Sequence, residues 1–305
     1  MYKAVVFMFA VAALALGGCS AKDTAASGDR IGDIVVRHLQ YAPGDTAIVF
    51  APLNDAHKYR ANAAASMKMP SASVIKVLIM AELMRRVEAG ELDLEARIEV
   101  RKEDKLHDSL IGRLEQSDYS LNDLITMMII TSDNTATNVL INIVGFDSVN
   151  ALAEELGLKD TSLQRKMLDW EAVKAGKQNY TSALDTSRLM RLIARGELIS
   201  PEACRRMLTI LNLQRDVESA KRFMPEDLVV AHKSGSLGNL EHDAGIFWID
   251  GKDYILTIFT QNQPSNAYAR DFIGQVAKDI YDAMGGDYAL VDPTQVDVTR
   301  NFVKK

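Results

Sequence analysis

In Ser73-Val74-Ile75-Lys76 a hydroxyl precedes an amine by three residues, the only such spacing in the chain. The stretch follows Pro70 and opens an apolar run, Val74, Val77, Leu78, Ala81, Met84 and Val87, at the three- and four-residue steps of an amphipathic helix. With Ser73 in the first turn of that helix, the two side chains share a face. A nearby amine can activate a hydroxyl for nucleophilic attack, and a helix N-terminus favours developing negative charge. Alone the spacing says little, because ordinary composition gives about one such pair by chance in a chain of this length.

Two further tripeptides follow in order. Ser132-Asp133-Asn134 interrupts an apolar helical pattern, with Leu121, Leu124, Ile125, Met128 and Ile129 before it and Val139-Leu140-Ile141 after it. Lys233-Ser234-Gly235 ends a strand that begins at Leu228-Val229-Val230-Ala231. With these three motifs the chain resembles the class A serine β-lactamase family from about residue 30 to 285, supported by Arg85–Gly90, Thr135-Ala136 and Asn138. The family has Thr in the middle of its third motif, and Ser234 keeps the hydroxyl.

The resemblance implies roles. Ser73 is the nucleophile, and Lys76 and Ser132 relay its proton to the leaving nitrogen. Asn134 bonds the substrate's side-chain amide. Lys233 and Ser234, backed by Gly235, hold its carboxylate. The backbone N–H groups of Ser73 and Ser236 form an oxyanion hole.

The family frees its acyl-enzyme with a glutamate in a W-E-x-x-L-N loop. Here Leu163-Gln164-Arg165-Lys166-Met167-Leu168-Asp169-Trp170-Glu171 admits two alignments. Matching Trp170-Glu171 makes Glu171 the base but needs inserted residues. Matching Leu163-x-Arg165 is nearly gapless from Ser132 and puts Met167 at the base position, where a thioether cannot take a proton. The base is then Glu171, Asp169 or neither. The Arg–Asp pair that closes the family's loop has Arg165 and Asn179 as its counterparts.

The elements that must carry these residues read as follows. Thr46–Phe50 is a strand, turned by Asn54-Asp55 into a second near His57–Arg60. A helix runs from Ser73 to Ala89, stopped by Gly90. Ser120-x-x-Asp123 caps the next helix. Residues 147–156 are helical, 160–181 form a long loop, and Ser182 and Ser200-Pro201 start two more helices. Ala244–Ile249 and Tyr254–Thr260 are strands joined at Asp250-Gly251-Lys252, and Asn266–Met284 closes the chain as a helix. The expected fold is α/β: an antiparallel sheet flanked by helices, built from both chain ends (31–65 and 215–290), with an inserted all-α lobe (66–214) and a tail at 291–305.

Composition bounds the rest. A net charge of -6 argues against nucleic acid as a partner, and no basic stretch interleaved with aromatics contradicts that. The five histidines and two cysteines form no metal-ligand pattern, and no cofactor is implied. Residues 1–18 read as a secretory leader. Leu16-Gly17-Gly18-Cys19 resembles a lipoprotein lipobox, implying a lipid on Cys19, a tether at 19–30, and a site facing the periplasm, on the outer membrane in a Gram-negative host. Cys204 is then left without a partner and reads as a buried, inert thiol. The expected activity is serine β-lactamase hydrolysis of β-lactam amides through an acyl-enzyme on Ser73, by a monomer. The alternatives are a D,D-peptidase or esterase acting on peptidoglycan D-Ala-D-Ala peptides, and a slowly deacylating penicillin-binding sensor.

Overall fold

A computed structural model describes residues 29–54, 59–249 and 251–285. The leader, Cys19, most of the tether, His57, Asp250 and the tail lie outside them. In chain order the elements are α1 (Arg30–Leu39), β1 (Asp45–Pro52), β2 (Arg60–Ala61), β3 (Met69–Pro70), a 3-10 turn (Ala72–Ile75) and α2 (Lys76–Glu88). There follow β4 (Arg97–Glu99), α3 (Leu110–Arg113), β5 (Asp118–Ser120), α4 (Leu121–Ile130), α5 (Asn134–Val144), α6 (Phe146–Glu155) and α7 (Trp170–Lys174). The chain closes with β6 (Tyr180–Thr181), α8 (Ala183–Ala194), α9 (Pro201–Asn212), β7 (Val230–Leu237), β8 (Leu240–Phe247), β9 (Tyr254–Gln261) and α10 (Asn266–Ala283).

Five strands form one antiparallel sheet in the order β2-β1-β9-β8-β7, so both chain ends build it and β7 is an edge. Side chains alternate across a strand. Ile48, Phe50, Leu256 and Ile258 meet Ile34 of α1 and Ile273, Val276 and Ile280 of α10 on one face. Ala231, Ala244, Ile246 and Ile255 join the larger core of the helical layer on the other.

Local rules set most boundaries. Ser120, Ser182, Ser200 and Ser265 each accept a backbone N–H at the start of α4, α8, α9 and α10, and Ser120 forms a full capping box with Asp123. Gly90, at φ +73, closes α2.

Several elements depart from the sequence reading. Residues 160–181, read as a loop, carry α7 and β6. α1 begins at Arg30, inside the expected tether, with Asp29 capping Gly32 N. Ser73 lies on a 3-10 turn ahead of α2. α2 is buried all round from Lys76 to Met84 instead of along one stripe, because other elements pack on it from several sides. β7 continues past the third motif to Leu237, so that motif is mid-strand. Within α2, Glu82 is fully buried and neutralised by Arg85 Nε at 2.8 Å and Arg86 Nε at 2.9 Å. Arg86 also donates to the Val144 carbonyl and Ser148 Oγ, tying α2 to the α5–α6 corner.

Candidate active site

In a 3-10 turn residues three apart eclipse one another, so Lys76 follows Ser73 along the same side of the chain. Ser73 is half-buried and Lys76 fully buried. Lys76 Nζ donates to the Ser132 carbonyl at 2.7 Å, to Ser132 Oγ at 3.1 Å and to Asn134 Oδ1 at 2.8 Å. The first two motifs, 56 residues apart in sequence, thus meet at one nitrogen.

Backbone strain marks the two places that present these groups. Ala72, just before Ser73, sits at φ 45, and Ser132 at φ 55. Left-handed backbone in residues with a Cβ is held only where the surroundings enforce it. At Ser132 they do: Asp133 N–H returns to the Met127 carbonyl, while Asp133 Oδ1 caps α5 through Ala136 N and Oδ2 accepts from Ile111 N. The polar break between α4 and α5 is therefore a kink that turns Ser132 toward Lys76.

The third motif arrives on the edge strand. A Cβ on Gly235 would lie 2.9 Å from Ser73 N, so glycine lets β7 press against the turn that carries Ser73. An edge strand also keeps backbone groups on its outer side free of the sheet, as an oxyanion role for Ser236 N–H requires. Lys233 is fully buried and donates to the Ser234 carbonyl at 2.7 Å. Ser234 is buried and Ser236 exposed. Ser236 Oγ donates to Glu241 Oε1 at 2.8 Å, and Glu241, itself buried, pairs with Arg270 at 3.0 Å and accepts from Asn266 at 2.7 Å.

Burial governs the two amines. Desolvation pushes Lys76 well below the ordinary lysine value, and the Lys233 charge pushes the same way against Asp133 and Asp108. Desolvation brings Lys233 down to about 8, opposed by Asp216 and Asp243. Burial likewise lowers His242 to about 4, leaving a neutral ring whose Nε2 is 3.0 Å from the Pro70 carbonyl, just before the Ser73 turn. His232, fully buried, pairs with Asp243 Oδ1 at 3.0 Å on the sheet face opposite Lys233. Cys204 is buried in α9, and desolvation raises its thiol.

The long loop is fastened by three asparagines: Asn150 holds the backbone of Leu163 at 2.8 and 2.9 Å, and two others bear on the site. Asn138, one turn beyond Asn134 on α5, accepts from Met167 N at 2.7 Å and donates to the Met167 carbonyl at 3.1 Å. Met167, 8 % exposed, is thus the loop residue pinned to α5 one turn beyond Asn134. Glu171 is not brought to it: on α7 its side chain is 84 % exposed and pairs with Lys174 at 2.8 Å. Asp169 caps α7 through Ala172 N at 2.9 Å.

Buried Asn179 accepts from Gln164 N and Arg165 N at 2.7 and 2.9 Å and donates to the Arg165 carbonyl at 3.0 Å. The Arg165 side chain turns instead to Gln178 Oε1 and the Lys166 carbonyl. The loop is therefore closed by a neutral amide. Because Asn179→Ala strands buried backbone groups at about 1–3 kcal/mol each, a total loss of about 3 kcal/mol is expected. Calorimetry should show a Tm drop of roughly 6–12 °C for a chain of this size.

Sequence reading does not reach Asp108, Glu241 or the grip of Asn138 on Met167. The Asp108 and Met167 links join residues 26 and 29 positions apart. The only local signal was the repeated spacing of Asn134 and Asn138 on one helix face.

Comparison with known proteins agrees with this geometry. A sequence model described as the Beta-lactamase enzyme family matches residues 29–284. Beta-lactamase CARB-4 of Pseudomonas aeruginosa is 24 % identical over 225 residues, covering 71 % of this chain and 78 % of that protein. A beta-lactamase structure from Sphaerobacter thermophilus superposes with a TM-score of 0.76 at 26 % identity, covering 85 % of this chain and 98 % of its own. The structure of PBP-A does so with a TM-score of 0.74 at 25 % identity, covering 83 % and 96 %.

Proposed function

Because this chain belongs to the Beta-lactamase enzyme family, and is a serine hydrolase of the class A type, we propose that β-lactams acylate it at Ser73 and leave it only slowly. Its own substrate, in this proposal, is a D-Ala-D-Ala-type peptide or a related ester or amide. The observation that carries slow release is the clamp of Asn138 on the backbone of Met167. It supports the gapless reading of the loop, in which the side chain at the water-activating position is a thioether. Glu171, exposed and paired with Lys174, offers no replacement.

Acylation rests on the other motifs. Ser73 Oγ attacks the lactam carbonyl as its proton passes to the Lys76 amine, whose charged form burial disfavours. Ser132 Oγ, 3.1 Å from Lys76 Nζ, hands a proton to the ring nitrogen as the C–N bond breaks. Ser73 and Ser236 N–H groups bind the oxyanion, while Lys233 and Ser234 bind the carboxylate.

Two limbs follow in the pH profile. Falling pH protonates Lys76 and removes the proton acceptor. Rising pH through about 8 discharges Lys233 and weakens carboxylate binding. The acylation rate constant should therefore pass through a maximum, with its alkaline limb centred near 8. Lys233→Arg, which stays charged, should move that limb upward; stopped-flow acylation across pH 5–10 measures both.

A chromogenic cephalosporin tests the proposal. One equivalent of product in a burst, then a slow phase unaltered by Glu171→Gln, is expected. Sustained turnover at about 1 s⁻¹ or faster would overturn it in favour of a second reading, a rapid β-lactamase, which the name of the CARB-4 relative favours. Release of D-Ala from a D-Ala-D-Ala peptide would identify the peptidase activity. Export and lipid attachment at Cys19 form part of the same proposal. Metabolic labelling with an alkynyl fatty acid should mark the chain and fail on Cys19→Ser.

A further inference from the structure

Asn134 faces two ways. Its Oδ1 accepts from buried Lys76, and its Nδ2 donates to Asp108 Oδ2 at 2.7 Å. Asp108 is exposed, so this one amide spans from the floor of the site to solvent. Oδ1 of Asp108 has no hydrogen-bond partner among the described residues, whereas Oδ2 is engaged.

The loop that carries Asp108 is fixed to the helix start that carries Asn134. Leu106 N donates to Thr135 Oγ1 at 2.8 Å, and Ser109 Oγ lies 2.6 Å from the same hydroxyl. Ile111 N donates to Asp133 Oδ2 at 2.8 Å. Thr135, Asp133 and Ser109 are buried. Residues on both sides of Asp108 are thus tied to the two neighbours of Asn134, and the carboxylate is held at the mouth of the site rather than on a free loop.

This arrangement discriminates between substrates. Nδ2 of Asn134 carries two hydrogens; Asp108 Oδ2 fixes one of them, which orients the amide and leaves the other for the acylamino carbonyl of a substrate. A side chain bearing an ammonium can leave that bond intact and donate to the open Oδ1. Selection here comes from an attraction that a charged side chain gains and a neutral one does not, a difference of affinities between two substrates. On the reading of Ser73 as the acylated residue, the geometry points to Asp108 as a specificity-determining residue that recognises a primary ammonium in the acyl side chain. The substrate class is an acyl donor with a free amine near the scissile bond, as in a peptide containing a diamino acid or a free N-terminus.

Benzylpenicillin and its α-amino derivative differ by that group and serve as probes. Their second-order acylation rate constants are read by intact-protein mass for the wild type and for Asp108→Asn, which keeps an acceptor for Asn134 but removes the charge. The wild type should prefer the α-amino lactam by roughly fivefold, the size of an exposed ion pair. The preference should shrink in about 0.5 M salt and collapse toward one in Asp108→Asn. Equal rates in the wild type, or an unchanged ratio in Asp108→Asn, would overturn the role of Asp108 while leaving the acylation reading intact. No adduct with either lactam would overturn both.

Discussion

Met167→Glu is expected to turn a stoichiometric reaction into a catalytic one. The two hydrogen bonds that fasten this residue run from Asn138 to the Met167 backbone N–H and carbonyl, so both survive the substitution. Glutamate nearly matches methionine in length and brings a carboxylate to the loop position that Asn138 holds, one turn beyond Asn134. A positioned general base contributes about 10²–10⁴-fold, and a rise of roughly 100-fold or more in steady-state turnover of a chromogenic cephalosporin is expected. Burying the carboxyl should lower stability by about 1–3 kcal/mol, which leaves the protein folded at 25 °C. An adduct that persists as long in Met167→Glu as in the wild type would count against the loop reading.

Lys76→Met should have the second largest effect. The amine is fully buried and lies within hydrogen-bond distance of Ser132 O, Ser132 Oγ and Asn134 Oδ1. Acylation should fall by about 10³-fold. Stability should change little. Losing the partner of Ser132 O and Asn134 Oδ1 destabilises the site, but removing an amine whose charge is disfavoured by burial offsets that loss. Rapid-quench acylation, with far-UV circular dichroism as the folding control, measures both. Acylation within tenfold of wild type would remove Lys76 from the proton path.

How far the sequence reached depended on the range of the interaction. Capping serines, the Gly90 stop and the last two strands follow from neighbouring residues, and they were legible. So was the order of Ser73-x-x-Lys76, Ser132-Asp133-Asn134 and Lys233-Ser234-Gly235. What those spacings could not give was geometry. β7 packs on the 3-10 turn under Ser73 through Gly235, a contact that leaves no periodic trace. α7 is five residues long, too short for a period, and its only signal is the Asp169 cap. The choice between Met167 and Glu171 rested on a contact across 29 positions, which no local pattern encodes. α1 is a different case. Ile31, Ile34, Val35 and Leu39 behind the Asp29 cap spell a helix, and the tether reading passed over it.

Residues that sit next to each other in the site but far apart in the chain explain why composition gave so little. Lys76 and Lys233 together place two amines in a buried region, and the surrounding acceptors satisfy their hydrogens. The same burial shifts both amines toward the range where one can accept a proton and the other can lose its charge near pH 8.

Intact-protein mass spectrometry after mixing with one equivalent of benzylpenicillin, followed by peptide mapping, tests the central claim most directly. A mass increase equal to the whole lactam is expected on the peptide carrying Ser73, still present after many minutes and absent in Ser73→Ala. An adduct on any other residue, or unmodified protein beside fully hydrolysed lactam, would contradict it.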